Sequence, residues 1–204
     1  MLTPEENELV TNTNKGAPMG ELFRRFWIPV ALAEEVPGPD CDPVRVRILG
    51  EDLILFKDSD GRPGLVDAYC PHRGAPMFYG RNEECGLRCV YHGWKFDTDG
   101  NCLETPNIPA EYNVTSKVKA VAYKVQERNG LVWVFLGKGE PPALPEIEPA
   151  LLAEGEVDIG FMQRDCNWLQ ALEGDIDTSH LGFLHLGGCD THPFYKVNVC
   201  VAQH

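Results

Sequence analysis

The sequence predicts an α+β protein in which an all-β domain is followed by the truncated start of a separate α+β domain. Three features of the 204-residue chain support this prediction. Apolar and polar residues alternate in short runs between residues 38 and 138, which is the period of half-buried strands. Four prolines then occur between Gly137 and Pro149, as is typical of a linker. After the linker, apolar residues recur at every third or fourth position, which favours helices.

Individual elements are predicted from local patterns. Residues 1–15 are polar and are expected to be poorly ordered. Apolar residues then recur at helical spacing at Leu22, Phe23, Phe26 and Trp27. Pro29 is expected to end that helix. Strands are predicted at 44–48, 53–56 and 65–68, with a hairpin of 118–125 and 131–136 joined by QERNG.

These elements divide the chain into four segments. Residues 1–37 are a lead with a short helix, and residues 38–138 are the all-β domain. Residues 139–149 are the proline-rich linker. Residues 150–204 begin the second domain, and a strand is expected there at 195–201.

The charge balance excludes some classes of partner. Acidic residues number 31 and basic residues 18, for a net charge of −13. This charge argues against binding nucleic acid or an anionic membrane. The longest apolar run, Leu131 to Leu136, is too short to span a bilayer, and the acidic N-terminus lacks the apolar segment of a signal peptide. A cytoplasmic protein is expected, so its eight cysteines are thiols, metal ligands or nucleophiles rather than disulfides.

Four metal-binding side chains occur in two short motifs. Cys70 and His72 lie in CPHRG, and Cys89 and His92 lie in CVYHGW. Thiolate and imidazole bind both zinc and iron, so a tetrahedral zinc site and a 2Fe–2S cluster are the alternatives. Each motif supplies one sulfur and one nitrogen, whereas zinc sites of this composition usually group like ligands. The pattern therefore favours a Rieske-type cluster, in which two cysteines bind one iron and two histidines the other.

The neighbours of these ligands carry further expectations. Gly74 and Gly93 follow the two motifs, and we expect them to let the backbone approach the cluster and donate N–H groups to its sulfurs. Cys85 and Cys102 do not fit the motif spacing and are expected to be ordinary buried thiols.

A second set of candidate ligands is Asp177, His180 and His185. On a straight helix Asp177 and His180 lie about 60° apart, but His180 and His185 lie about 140° apart. The two histidines can therefore share a metal only if the helix is broken between them, and Gly182 is the expected place. Two histidines and a carboxylate form the ligand set of non-haem iron oxygenases. Taken alone, however, the spacing favours partly buried core histidines, with Asp177 as a cap or in solvent.

Together the motifs resemble the alpha subunits of Rieske non-haem iron aromatic-ring-hydroxylating oxygenases, in the phthalate-dioxygenase-like branch. Three stretches carry the resemblance: GAPMGELFRRFWIPV near the start, CPHRG with CVYHGW, and the segment from Asn167 to His185. It covers roughly residues 16–188. It implies a 2Fe–2S cluster on Cys70, His72, Cys89 and His92, and a mononuclear Fe(II) on His180 and His185.

The resemblance also implies an assembly and a reaction. In a homotrimer, Asp177 would link His180 to His92 of a neighbouring subunit. An NAD(P)H-dependent reductase or ferredoxin would reduce the cluster, and O₂ would hydroxylate or demethylate a small aromatic substrate. Respiratory Rieske proteins have a disulfide where this chain has Ala75 and Tyr91. With Trp94 also replacing a serine, the implied potential is about −150 mV rather than about +300 mV.

The family's third iron ligand is a carboxylate far downstream, and Asp190 is not expected to replace it. The chain is therefore expected to be a fragment that accepts electrons without hydroxylating aromatics. Nearby polar residues, Asn167, Glu173 and Asp175, are expected to support the site or the helix surface. Two rival functions remain open: a truncated Rieske electron carrier without oxygenase activity, and a zinc-stabilised interaction module.

Overall fold

The computed structural model describes residues 2–148, 151–153 and 156–185. The chain divides into two compact units, Met1–Gly160 and Phe161–His204. Asp190, the expected strand at 195–201, and Cys189 and Cys200 lie outside the described residues.

Two antiparallel sheets form the first unit. Its strands are β1 (Trp27–Leu32), β2 (Val44–Ile48), β3 (Glu51–Lys57), β4 (Pro63–Asp67), β5 (Arg81–Glu83), β6 (Gly86–Arg88), β7 (Lys95–Phe96), β8 (Cys102–Glu104), β9 (Ala122–Arg128) and β10 (Leu131–Phe135). A six-stranded sheet has the order β1-β10-β9-β4-β3-β2, and a four-stranded sheet has the order β5-β6-β7-β8. The predicted β-rich region is confirmed. Because β1 pairs with β10, the first sheet already begins before the predicted boundary at residue 38.

The N-terminal residues are helical, so the expectation of disorder at residues 1–15 is wrong. Helix α1 (Pro4–Thr11) begins with a capping box in which the side chain of Thr3 accepts from the Glu6 N–H and the Glu6 carboxylate accepts from the Thr3 N–H. This pattern satisfies two N–H groups that the first helical turn cannot pair itself. The signal is present in the sequence but is obscured by the polar composition.

The predicted helix around Trp27 ends earlier than expected. Helix α2 (Pro18–Phe23) stops at Phe23, and Trp27 begins strand β1. The Trp27 ring is buried against Phe135, with 5.8 Å between ring centroids, and its Nε1–H donates to Pro142 O at 2.8 Å. Pro29 lies within this strand rather than ending a helix. Strand β1 is at the edge of the sheet, where a residue without an N–H is tolerated.

The predicted hairpin is confirmed, but its first strand begins at Ala122 rather than at residue 118, and its turn is tighter. Strand β9 continues to Arg128, so only Asn129 and Gly130 form the connection. Their φ angles are 49° and 79°, the left-handed pair that a two-residue hairpin turn requires.

The proline-rich segment packs onto the first unit instead of forming a free linker. Leu144 is buried with Trp27, Trp133 and Phe135. The carbonyl of Pro142 accepts the Trp27 hydrogen bond. The predicted linker is therefore held against the sheet through Leu144, whose side chain is removed from water by this apolar contact.

A buried ion pair ties α2 to the six-stranded sheet. The guanidinium of Arg24, 5% exposed, pairs with the Glu51 carboxylate, 17% exposed, and donates to Leu49 O at 3.1 Å. The Tyr123 hydroxyl donates to Glu51 at 2.6 Å. Burial works against the charged carboxylate, but the hydrogen bonds from Tyr123 and Arg24 outweigh it and hold the Glu51 pKa below its ordinary value of 4.5.

Glu51→Gln is expected to lower the free energy of unfolding by about 3 kcal/mol, because Arg24 stays buried without a counter-charge. The Glu51 pKa is lowered by folding, so its contribution is present above pH 4.5 and is lost as the pH falls through the folded-state pKa. Urea titrations at neutral and acidic pH measure both effects. Asp52→Asn is the matched control: its exposed pair with Arg47 should contribute less than about 1 kcal/mol. Equal losses for both variants would contradict the argument.

Within residues 161–185, the described part of the second unit, there are two helices, α3 (Trp168–Ile176) and α4 (Leu181–Leu184). The side chain of Asn167 caps α3 by accepting from the Gln170 N–H at 2.9 Å. A break was expected between His180 and His185, but the helix is interrupted earlier, between Ile176 and Leu181, and Gly182 lies inside α4. The expected position of the break was therefore wrong.

No helix in the described part of the chain is long and apolar enough to cross a membrane.

Candidate metal centres

The first ligand motif forms a tight loop closed by two backbone hydrogen bonds. The Cys70 N–H donates to Ala75 O at 2.9 Å, and the Gly74 N–H donates to Cys70 O at 2.8 Å. Gly74 has a φ of 67°, a conformation that glycine adopts without a steric penalty. An isolated bridge between Tyr69 and Pro76 flanks the loop. These bonds fold the motif into a tight turn that contains both Cys70 and His72.

The second ligand motif repeats the same turn. The Cys89 N–H donates to Trp94 O at 2.8 Å, and the Gly93 N–H donates to Cys89 O at 3.0 Å. Gly93 has a φ of 76°, and a Cβ atom there would lie 2.7 Å from Pro106 Cγ. Glycine is therefore required both by the backbone conformation and by the neighbouring ring. The strands β6 and β7 lead into and out of this loop.

The two glycines do not have the role expected from the sequence. Their N–H groups donate to the carbonyls of Cys70 and Cys89 and are therefore not free to donate to sulfur. The N–H groups of His72 and Arg73 instead lie close enough to the Cys70 thiol to lower its pKa, against the larger and opposite effect of burial. These amides belong to the ligand His72 and to the residue that follows it.

The loops bring like ligands together. Cys70 and Cys89 are both buried in the same apolar cluster, where the Cys89 thiol is close enough to raise the pKa of the Cys70 thiol. The rings of His72 and His92 lie 4.6 Å apart between centroids. Two neighbouring sulfurs and two neighbouring imidazoles are the division that a 2Fe–2S cluster with one all-cysteine iron and one all-histidine iron needs.

Burial disfavours the charged forms of Cys70 and His72. Burial raises the pKa of the Cys70 thiol to about 11, and the adjacent Cys89 thiol acts in the same direction. Burial, with the nearby charges of His92 and Arg73, lowers the pKa of His72. A neutral imidazole is ready to bind metal, whereas the thiol must exchange its proton for the metal.

Trp94 and Asn107 support one of the candidate ligands. The indole of Trp94 stacks on the His72 ring at 4.1 Å and an interplanar angle of 2°. Its Nε1–H donates to Asn107 Oδ1 at 2.7 Å. The stack fixes the plane of an imidazole that belongs to the other loop. Sequence reasoning noted Trp94 only as a departure from respiratory proteins and missed Asn107, since no spacing links the two.

The residues of the two loops fit a 2Fe–2S cluster. His72 Nδ1 is buried and has no hydrogen-bond partner among the described residues, which is costly unless a ligand satisfies it. In the same part of the chain, no three His, Cys, Asp or Glu side chains are placed as ligands of a single ion, and this applies to both groups of candidate ligands. A two-iron cluster needs only two side chains for each iron, and the two loops supply two thiols and two imidazoles.

The remaining cysteines agree with their expected roles in part. Cys102 is buried, and its burial raises the thiol pKa. Cys85 is only half-buried, because it lies on a turn with a φ of 60° and donates its N–H to Ser59 Oγ at 2.8 Å. The cysteines of the described residues are all free.

The second group of candidate ligands lies at the break between α3 and α4. Asp177 Oδ2 is 3.3 Å from His180 Nδ1, and the rings of His180 and His185 are 5.3 Å apart between centroids. His180 caps the start of α4 and His185 caps its end, so one short turn brings both imidazoles together. The contact with Asp177 leaves Nε2 of His180 for a metal, the usual arrangement of a carboxylate-supported ligand.

Asp177 is fixed mainly by Ser179. Its Oδ1 accepts from the Ser179 N–H at 2.8 Å and from the Ser179 hydroxyl at 2.6 Å. These bonds, followed by the contact with His180, lower the Asp177 pKa. The neighbouring Asp175 instead pairs with Arg164 at 2.9 Å on the surface, and Glu173 is exposed and has only its backbone carbonyl bound by Asp177.

The chain is similar to several known proteins. Residues 26–124 match the family described as the Rieske [2Fe-2S] domain. The oxygenase subunit of phthalate 4,5-dioxygenase from Pseudomonas putida is 51% identical over 188 residues, which are 91% of this chain and 42% of that protein. The chain thus spans less than half of this relative.

Two solved structures show the same fold. Apo dicamba monooxygenase superposes with a TM-score of 0.53 and 32% identity, covering 60% of this chain and 38% of that one. An oxygenase and ferredoxin complex of carbazole 1,9a-dioxygenase superposes with a TM-score of 0.53 and 28% identity, covering 60% of this chain and 31% of the other.

Proposed function

This chain belongs to the family of Rieske oxygenase subunits, and we propose that Cys70, His72, Cys89 and His92 bind its 2Fe–2S cluster. The observation that carries the assignment is that the two loops, which share one geometry, place both cysteines in one buried cluster and both imidazoles 4.6 Å apart between ring centroids. Rieske clusters divide their ligands in this way. The buried, unpaired Nδ1 of His72 supports the assignment.

The proposed role of the chain is to receive electrons and deliver them to an oxygen-activating iron. When bound, the cluster would supply single electrons to a mononuclear iron that activates O₂ for hydroxylation or demethylation of an aromatic substrate. This chain's residues would hold the two metals: the loops would bind the cluster, and His180 and His185 would supply two imidazoles to the iron. A third iron ligand is not proposed from the described residues.

A ferredoxin or an NAD(P)H-dependent reductase is the proposed electron donor. One structural neighbour is an oxygenase crystallised with a ferredoxin, which supports a partner of this kind. The resemblance further supports a homotrimer in which Asp177 links His180 to His92 of the neighbouring subunit. Substrate chemistry is proposed only at the level of a small aromatic compound.

A truncated electron carrier is the less favoured alternative. The similarity to the phthalate 4,5-dioxygenase subunit runs through 91% of the chain and so extends past the Rieske domain at 26–124. The contacts of Asp177 and His180 also lie outside that domain. A pure electron carrier would have no use for a carboxylate-supported pair of histidines.

Anaerobic reconstitution of the 204-residue chain with iron and sulfide is expected to give a red-brown protein with about two irons and two sulfides per chain. Iron and sulfide analysis, together with visible absorption, measures this outcome. Cys89→Ala should remove the colour, because one iron loses half of its protein ligands. The matched control is Cys102→Ala, at a buried thiol outside the two loops, which should keep the cluster. A colourless protein that holds one zinc per chain would refute the assignment.

A further inference from the structure

The side chain of Arg88 lies beside the second ligand loop and binds groups on three sides. Arg88 is the last residue of β6 and directly precedes Cys89. Its Nη1 donates to Gly93 O at 2.9 Å, its Nε donates to Glu83 Oε1 at 2.6 Å, and its Nη2 is 2.9 Å from Glu104 Oε2. The side chain is 11% exposed. The guanidinium therefore joins the far end of the loop to strands β5 and β8.

This contact encloses both candidate ligands of the loop. The chain runs from Arg88 through Cys89 and His92 to Gly93, and the guanidinium hydrogen bond returns from Gly93 to Arg88. A change in the Gly93 peptide would move His92, the residue before it. Only a guanidinium has enough donors in a rigid plane to serve a carbonyl and two carboxylates together.

The first ligand loop has no such contact. Its preceding residue, Tyr69, is exposed, and no side chain in the described residues donates to the carbonyl of Gly74. That loop is flanked by the bridge between Tyr69 and Pro76 and by the indole of Trp94 over His72. The two loops share a backbone turn but differ in what holds them.

Lys95 belongs to the same ionic network as Arg88 and allows the effect of the network to be distinguished from the effect of the contact with the loop. It pairs with Arg88 in the register of β6 and β7 and binds Glu84 at 3.1 Å and also Glu104. Its side chain is 4% exposed. It therefore shares the burial of Arg88 and two of its carboxylate partners, Glu104 and Glu84, the second of which lies 3.6 Å from Arg88 Nη2. Among the described residues, however, the Lys95 side chain makes no hydrogen bond to the loop.

We propose that Arg88 is a positioning residue for the cluster, which holds Cys89 and His92 at their ligand spacing by fastening the Gly93 carbonyl to Glu83 and Glu104. The proposal rests on the ligand assignment under the proposed function. It adds a residue outside the ligand motifs whose loss should weaken the hold on the cluster without unfolding the protein.

The test compares Arg88→Met, Arg88→Lys and Lys95→Met in the reconstituted 204-residue chain. The measurements are the rate of cluster bleaching by an iron chelator well below the melting temperature, the EPR spectrum of the reduced cluster, and the melting temperature itself. Hydrogen bonds to charged groups change an opening equilibrium by about tenfold or more. Arg88→Met should therefore bleach at least about tenfold faster and have an altered EPR spectrum.

The other two variants separate positioning from general stability. Arg88→Lys keeps the charge, but its ammonium group cannot reach all three acceptors in the geometry of a guanidinium. The cluster of this variant should therefore bleach faster than that of the unmodified chain. This variant decides the test if Arg88→Met fails to fold. Lys95→Met should lower the melting temperature while keeping the native EPR spectrum and bleaching rate. Native bleaching in Arg88→Lys, or an equal effect in Lys95→Met, would overturn the proposal. An unmodified chain that assembles no cluster would instead count against the ligand assignment.

Discussion

Asp177→Asn in a full-length oxygenase carrying this sequence is expected to slow electron transfer from the cluster to the iron by orders of magnitude, with both metals still bound. Ser179 occupies Oδ1 of Asp177, whereas Oδ2 lies against His180 and the side chain is 46% exposed. Asparagine can still accept from Ser179 through its remaining oxygen. It places an NH₂ group where the carboxylate accepts from imidazole, and it removes the negative charge that favours imidazolium.

Single-turnover kinetics of the pre-reduced protein, with iron and sulfide analysis, measure this effect. Asp175→Asn is the matched control, because Asp175 lies two residues away, is exposed and pairs with Arg164. It should transfer electrons at the unmodified rate. If Asp177→Asn empties the iron site while the loaded sites transfer normally, Asp177 is a ligand or a ligand support, and the bridging assignment is wrong.

His92→Cys is expected to lower the reduction potential of the cluster from about −150 mV toward about −400 mV, the range of all-cysteine ferredoxins. A third thiolate adds negative charge beside the iron and disfavours its reduction. His92 is preferred to His72 for this test because the His72 ring is stacked on Trp94, and its loss would also disturb that contact.

A redox titration followed by visible absorption or EPR measures the potential. Tyr91→Phe is the matched control, since the Tyr91 ring lies 3.8 Å from His92 between centroids but is exposed and is not a candidate ligand. It should leave the potential unchanged. A native potential in His92→Cys would show that His92 does not bind the cluster.

Local chemistry made the ligands predictable. The motifs around Cys70 and Cys89 place a sulfur and a nitrogen within two or three residues, and metal ligation depends on side-chain type at short spacing. The strands β2 to β4 and the β9–β10 hairpin were likewise predictable from local signals. These signals are the alternating apolar residues of β2, the short apolar runs of β3 and β4, and the Asn-Gly turn.

Elements that depend on distant partners were not predictable in this way. The spacing of Phe26 and Trp27 fits a helix, yet Trp27 enters strand β1 because Phe135 and Pro142 bury its ring. Leu144 lies in a proline-rich segment that has the composition of a linker, but its side chain is buried against Trp27, Trp133 and Phe135 of the same unit. Burial in tertiary contacts outweighs local preference in both cases.

By itself, the sequence determined which side chains are the candidate ligands of a cluster, that their types alternate within each motif, and that Asp177, His180 and His185 lie within one short segment. Only the tertiary structure decided that the two cysteines share one buried apolar cluster and that the two imidazoles are neighbours. It also decided that Trp94 covers the candidate ligand of the opposite loop and that Arg88 fastens its own loop to two other strands. The physical reason is range: ligand chemistry belongs to single residues, whereas ring stacking and a three-way guanidinium contact exist only after separate strands have paired.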